Sequence, residues 1–247
     1  FNVAVAMNVL AHTSNPLEIL KGLSQNIADE GIAYIQTSQA NMFMNGEFDT
    51  VYHEHIIFFN IKSMKALLAR AGWFLRDVSI VSVHGGSYVW KIARTPGESE
   101  SVKAREAEEE INGYYNLDFY ATFSDRCQEI VQQVVNYSEI AMRDGFRLAI
   151  YGSAAKGNTF LNFSKLIPDF IFDDTPLKID KYSPLGNKVV TNPERLQEIP
   201  DNLLLIIPAW NVKKEIIARL KVHRRDFRSD MILTYYPKLE IHSLHKD

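Results

Sequence analysis

Residues 47–55 read Glu-Phe-Asp-Thr-Val-Tyr-His-Glu-His, three acids, two histidines and a tyrosine in nine positions, soon after a predicted strand over 32–37. No apolar core requires such a cluster. Open α/β proteins bind ligands in the crevice outside the carboxyl ends of their strands, and titratable groups collect there. A histidine titrates near neutrality and can remove a proton of modest acidity, and a nearby carboxylate fixes its tautomer and raises its basicity. A tyrosine hydroxyl can donate to a developing oxyanion. On an extended segment alternate residues share a face, so Tyr52 and Glu54 are expected to point one way and His53 and His55 the other. The competing reading is that Glu47, Asp49 and the histidines tie down a long loop by hydrogen bonds to backbone. The order His-Glu-His-Ile-Ile is not His-Glu-x-x-His, so it does not set two histidines one helical turn apart for zinc, and no metal site is expected.

Other segments also fall at strand ends. Asn8-Val-Leu-Ala-His12 follows the first predicted strand and puts His12 at a carboxyl edge, as a second chemical candidate or as a capping residue. Tyr151-Gly-Ser-Ala-Ala-Lys-Gly-Asn-Thr159 is a glycine-rich strand-to-helix turn whose N–H groups, with the helix dipole and Lys156, could hold a phosphate. Gly152, Lys156, Asn158 and Thr159 are therefore candidate ligand contacts. The turn is not a Walker A loop, because Asn158 stands where lysine must follow the second glycine. Its Gly-x-x-x-x-Gly spacing also departs from the dinucleotide fingerprint. The alternative is that these glycines serve a tight turn and close helix packing. Asp173-Asp-Thr-Pro-Leu-Lys178 adds acids and Lys178 at the neighbouring edge. His84-Gly-Gly-Ser87 reads as a hairpin turn, with His84 and Ser87 able to touch a ligand.

These residues need elements to hold them. Strand-like and helix-like stretches alternate from residue 2 to about 94: strand 3–7, helix 17–28, strand 32–37, helix 61–71, then strands 74–81 and 88–93 as an antiparallel pair closing a mostly parallel sheet. Residues 95–101, rich in small and acidic types, mark a linker, and helices follow over 102–112 and 123–142. From 147 the α/β pattern restarts: strands 147–151, 169–173, 203–207 and 231–235 alternate with helices 158–164 and 212–220, a second Rossmann-like unit. The expected divisions are 1–94, 95–145 and 146–247. The acidic run 106–110 and the cationic run 221–225 both read as solvated helix faces or ends.

The chain has 247 residues, enough for one large domain or two smaller ones, with 46% hydrophobic and 23% charged residues. No apolar run reaches the roughly 18 residues of a membrane span. A formal charge of −3 gives no basic footprint for nucleic acid. One cysteine, Cys127, excludes an internal disulfide and fits a reducing compartment, so the cytoplasm is expected. The opening residues 1–7 carry no cationic flank or cleavage pattern and read as a buried strand, so the chain is expected to begin inside a domain.

Five segments in this order, Asn8-Val-Leu-Ala-His12, Glu47-Phe-Asp-Thr-Val-Tyr-His-Glu-His55, Val83-His-Gly-Gly-Ser87, the turn 151–159 and Asp173-Asp-Thr-Pro-Leu-Lys178, resemble the S-adenosylmethionine-dependent sugar C-methyltransferases that act on nucleotide-linked keto sugars. The resemblance implies an α/β fold in which a partial class I methyltransferase sheet is followed by a second, Rossmann-like domain. The family's zinc module and glycine-rich S-adenosylmethionine loop have no counterpart in these residues, so the chain corresponds to the later part of such an enzyme. By the same resemblance His55 is the base that removes the proton beside the sugar ketone. Tyr52, Glu54 and His12 are its partners, and the nucleotide diphosphate lies near 152–159. Two other classes stay open: an NAD(P)-dependent oxidoreductase, for which Asp173 stands near the spacing of a ribose-binding acid, and a non-catalytic nucleotide-sugar-binding module.

Overall fold

The computed structural model describes residues 1–38, 40–184, 188–224 and 229–244. They group into two compact units, Phe1–Met44 with Tyr52–Phe123, and Asn45–Val51 with Ser124–Asp247.

In the first unit β1 (Val3–Met7) leads through α1 (Pro16–Asn26) to β2 (Ile32–Ser38), and the two strands pair in parallel. Pro16 starts α1, where its missing N–H costs nothing. Next come α2 (Ile61–Arg70), β3 (Phe74–Val81) and β4 (Ser87–Ala93). Asn60 and Ser63 form a reciprocal capping box at the start of α2. The sheet order is β1-β2-β4-β3, with β4 antiparallel to both of its neighbours. Two of the three pairings are therefore antiparallel, which corrects the expectation of a mostly parallel sheet. A tight turn forces β4 to run back along β3, and β4 rather than β3 takes the place beside β2. The core is built on Trp73, Trp90, Tyr88, Leu20, Ile35 and Met64. Each indole N–H finds an acceptor, Trp73 at the Leu20 carbonyl (3.0 Å) and Trp90 at the Thr37 hydroxyl (2.8 Å). β1 is not the buried strand its apolar run suggested. It forms an edge, with Ala4 and Ala6 on the core and Val3, Val5 and Met7 exposed.

Helices α3 (Glu100–Ile111) and α4 (Leu117–Ala121) complete this unit. The acidic run on α3 is not all solvated, because Glu109 is fully buried. Its carboxylate accepts from the hydroxyls of Tyr88 and Tyr115 (2.7 Å each) and from the Ile61 amide (2.8 Å), so α3 closes over the start of α2.

The second unit contains the long α5 (Phe123–Arg143), β5 (Arg147–Tyr151), α6 (Ala155–Ser164), β6 (Phe170–Phe172), β7 (Val190–Thr191), β8 (Leu203–Ile206), α7 (Lys213–His223), β9 (Met231–Thr234) and β10 (Glu240–Ser243). The order is β10-β9-β8-β5-β6-β7, with every pairing parallel except that of β10 with β9. The central β8 is buried at every position, as its unbroken apolar run requires of a strand covered on both faces. The short β7 and β10 carry too few residues to show a strand period. The cationic run is not simply a solvated helix end either. Arg224 is buried, its guanidinium paired with Asp230 (2.7 Å) and donating to the carbonyls of Leu196 (2.7 Å), Ile199 (2.6 Å) and Asp201 (2.5 Å). Arg225, the last member of that run, lies outside the described residues. Among the described residues no helix is long and apolar enough to cross a membrane.

Candidate active site

The segment 52–55 is a turn and not an extended stretch, which overturns the expected alternation of faces. The His55 amide donates to the Tyr52 carbonyl at 2.9 Å. Closing that loop brings the two rings together, with centroids 4.4 Å apart and planes tilted by 38°, and the Tyr52 hydroxyl 3.2 Å from His55 Nε2. His53 and Glu54 are left exposed at the outside of the turn, their charged ends 3.9 Å apart. The amides of Ile56 and Ile57 both donate to the carbonyl of Ala11, at 2.9 and 3.2 Å. Those bonds tie the segment to the 3-10 turn Leu10–His12, and the ring of His12 meets that of His55 edge-on at 4.9 Å. Three of the four residues named for catalysis thus come together: Tyr52, His55 and His12. The Tyr52 hydroxyl is held above its ordinary range by burial first and by the charge of Glu54 second, so it is a protonated donor at neutral pH.

At the same edge of the first unit, Asn8 Nδ2 lies 3.0 Å from His84 Nε2. Ser87 is buried, and its hydroxyl donates to the Val83 carbonyl within the turn at 3.0 Å.

In the second unit, Gly152 has φ +119°, which an L side chain rarely adopts, and a Cβ on Gly157 would lie 2.2 Å from the Gly152 carbonyl oxygen. Both glycines are therefore needed by the backbone itself. The Ser153 amide donates to Asp173 Oδ2 at 2.7 Å. Asp173 also accepts from the Thr175 amide (2.8 Å) and from Lys178 Nζ (3.0 Å). Burial opposes the charge on Asp173, but these hydrogen bonds outweigh it and keep the carboxyl below its usual range. Both oxygens of Asp173 and the ammonium of Lys178 are engaged with protein groups. Asn158 Oδ1 accepts from the Ser183 hydroxyl at 3.3 Å, and Thr159 is half-buried on α6. Lys156 Nζ is buried 3.9 Å above the Trp210 ring and has no hydrogen-bond acceptor among the described residues. Burial lowers its pKa, against the opposing charges of Asp49 and Glu47.

Those acids belong to this unit, where residues 45–51 are clamped. Asp49, fully buried, accepts at Oδ2 from Trp210 Nε1 and from the Tyr235 hydroxyl, each at 3.1 Å. Burial raises its carboxyl to about 6 despite Lys156, Trp210 and Tyr235, and Glu47 is raised for the same first reason. The Phe48 amide donates to the Tyr236 hydroxyl (3.0 Å), which in turn donates to the Gly46 carbonyl. Trp210, Tyr235, Tyr236 and Asn8 were not singled out from sequence. The available signal was position, because Trp210 follows β8, Tyr235-Tyr236 follows β9 and Asn8 follows β1.

Residues 82–233 match the family described as C-methyltransferase C-terminal domain, and residues 1–78 match a methyltransferase domain. Over 219 residues the chain is 31% identical to the C-methyltransferase NovU of Streptomyces niveus, an alignment that takes in 85% of this chain and 52% of that protein. It spans about half the length of the curated relative it matches.

Proposed function

This chain belongs to the C-methyltransferase C-terminal domain family, and from that premise we propose that it acts in C-methylation of a nucleotide-diphosphate-linked keto sugar. The observation that carries the reading is the approach of the Tyr52 hydroxyl to His55 Nε2 at 3.2 Å, beside the ring of His12. A carbon next to a ketone is weakly acidic. The His55 imidazole takes its proton, the C–H electron pair becomes an enolate, and the Tyr52 hydroxyl donates to the enolate oxygen. His12 packs the imidazole in place. S-adenosylmethionine supplies the electrophilic methyl that the carbanion requires.

The diphosphate belongs at the start of α6, where the helix dipole favours an anion and the ammonium of Lys156 lacks an acceptor. Gly152 shapes that turn, with Asn158 and Thr159 on the following helix and Lys178 beside it. Calorimetry with a nucleotide-diphosphate keto sugar tests the binding half of the reading. Exchange of the proton beside the ketone into deuterium oxide tests the chemical half. Exchange should fall by about 10²–10⁴-fold in His55→Ala with sugar binding kept. Wild-type exchange in that variant would reject the assignment.

A further inference from the structure

We propose that Phe58 is a positioning residue for His55, the third ring that, with those of Tyr52 and His12, fixes how the imidazole points. The consequence for catalysis rests on the reading of His55 as the base. All the residues concerned belong to the first unit. The ring of Phe58 stands perpendicular to that of His55, at an interplanar angle of 90° with centroids 5.9 Å apart. Edge-on ring pairs at about 4.5–7 Å are favourable beyond the area they bury. A histidine turns about two side-chain bonds, and its second torsion is broad and roughly two-fold. The Tyr52 hydroxyl alone would favour one setting by only about two- to tenfold, the worth of one neutral hydrogen bond. Packing has to supply the rest.

The neighbours of Phe58 in the chain are committed elsewhere. Phe59 is buried in the core of this unit, and Ile57 packs against that core while its amide is tied to the Ala11 carbonyl. Phe58 between them is only half-buried, and its ring meets that of Phe43 edge-on, with centroids 5.2 Å apart. Phe43 is set edge-on in turn against Tyr120 of α4 (5.3 Å) and against Phe123, the last residue of this unit (5.0 Å). The Tyr120 hydroxyl donates to the Tyr114 carbonyl at 2.7 Å, which anchors the far end of this row of rings to the backbone. Phe43 thus limits how far the Phe58 ring can move. Phe58 has no proton to exchange and acts only through the imidazole it touches. Displacing a catalytic group by about 1 Å can cost about 10²-fold in rate, so a change at Phe58 should reach the chemistry through His55.

The test compares Phe58→Ala and Phe58→Tyr with the wild type in the whole chain, following nuclear Overhauser contacts between the Tyr52 and His55 rings without substrate. In Phe58→Ala those contacts should weaken about twofold or more as the imidazole gains freedom. Contacts between Tyr88 and Trp90, whose rings pair in the core, should stay as they are. With a saturating nucleotide-diphosphate keto sugar, exchange of the proton beside the ketone into deuterium oxide should fall by about tenfold or more, the half-saturating concentration changing little. Phe58→Tyr, which keeps the ring, should restore most of both properties. Should Phe58→Ala not fold, Phe43→Leu removes the backing ring and should give a smaller change of the same sign. Unchanged Tyr52–His55 contacts in the variant that folds, no rescue by Phe58→Tyr, or a slower exchange matched by an equal rise in the half-saturating concentration would overturn the proposal. Wild-type exchange in His55→Ala would reject the base assignment alone, because the ring contacts are read without substrate.

Discussion

The hydroxyl of Tyr52 lies 3.2 Å from Nε2 of His55 because the backbone closes a turn between them, the His55 amide returning to the Tyr52 carbonyl. Residues two apart in an extended strand share a face. In this turn it is residues three apart that meet, and so a hydroxyl–imidazole pair forms that alternation would have separated.

Two residues in contact on one reaction should not behave additively. Tyr52→Phe should lower kcat more than it raises KM, since its hydrogen bond strengthens as charge develops on the enolate. Adding it to His55→Ala should cost clearly less than the two single losses combined. Steady-state kinetics of the four proteins decides this, and a pure KM effect would make Tyr52 a binding residue.

Asp49 gives a pH signature. Its carboxyl is raised from an ordinary 3.8 to about 6 by burial, with Lys156, Trp210 and Tyr235 opposing and Glu47 adding. A raised folded-state pKa means that the neutral form favours folding. That contribution is complete below about pH 4 and is lost as pH rises through about 6. Asp49→Asn mimics the neutral form, so its stability relative to wild type should grow across that window by on the order of 2–3 kcal/mol. Urea unfolding at pH 4, 5, 6 and 7 measures it, and a flat difference would contradict the shift.

Gly157 and Lys156, adjacent in sequence, should fail differently. A Cβ on Gly157 meets the Gly152 carbonyl at 2.2 Å, so Gly157→Ala should destabilise the second unit by about 1–3 kcal/mol. Lys156→Ala should instead weaken nucleotide-sugar binding by about 1.5–3 kcal/mol, the worth of a hydrogen bond to a charged group. Thermal melts and calorimetry separate the two, and intact binding in Lys156→Ala would remove Lys156 from the ligand site.

Arg224→Met keeps much of the volume but strands the Asp230 carboxylate and three carbonyls in the interior. The expected cost is about 3–5 kcal/mol, read as a lower urea midpoint. A loss under 1 kcal/mol would mean that water replaces the guanidinium.

The sequence by itself determined the α/β class, nearly all the longer strands and helices, and the segment to which the chemistry is proposed to belong. Apolar periodicity and glycine or proline stops are local properties, and a crowd of titratable groups in nine positions stands out in the sequence itself. Tertiary structure decided what those groups face. Glu109 and Arg224 look solvated in their charge runs, yet they are buried because distant partners, Tyr88 and Tyr115 for one and Asp230 for the other, satisfy their hydrogen bonds. Asp49 and Lys156 stand far apart in the chain, and only the folding of β8, β9 and α6 around residues 45–51 brings them to one buried cluster. Sequence periodicity reports burial along one element. The environment of a charge depends on groups contributed by several.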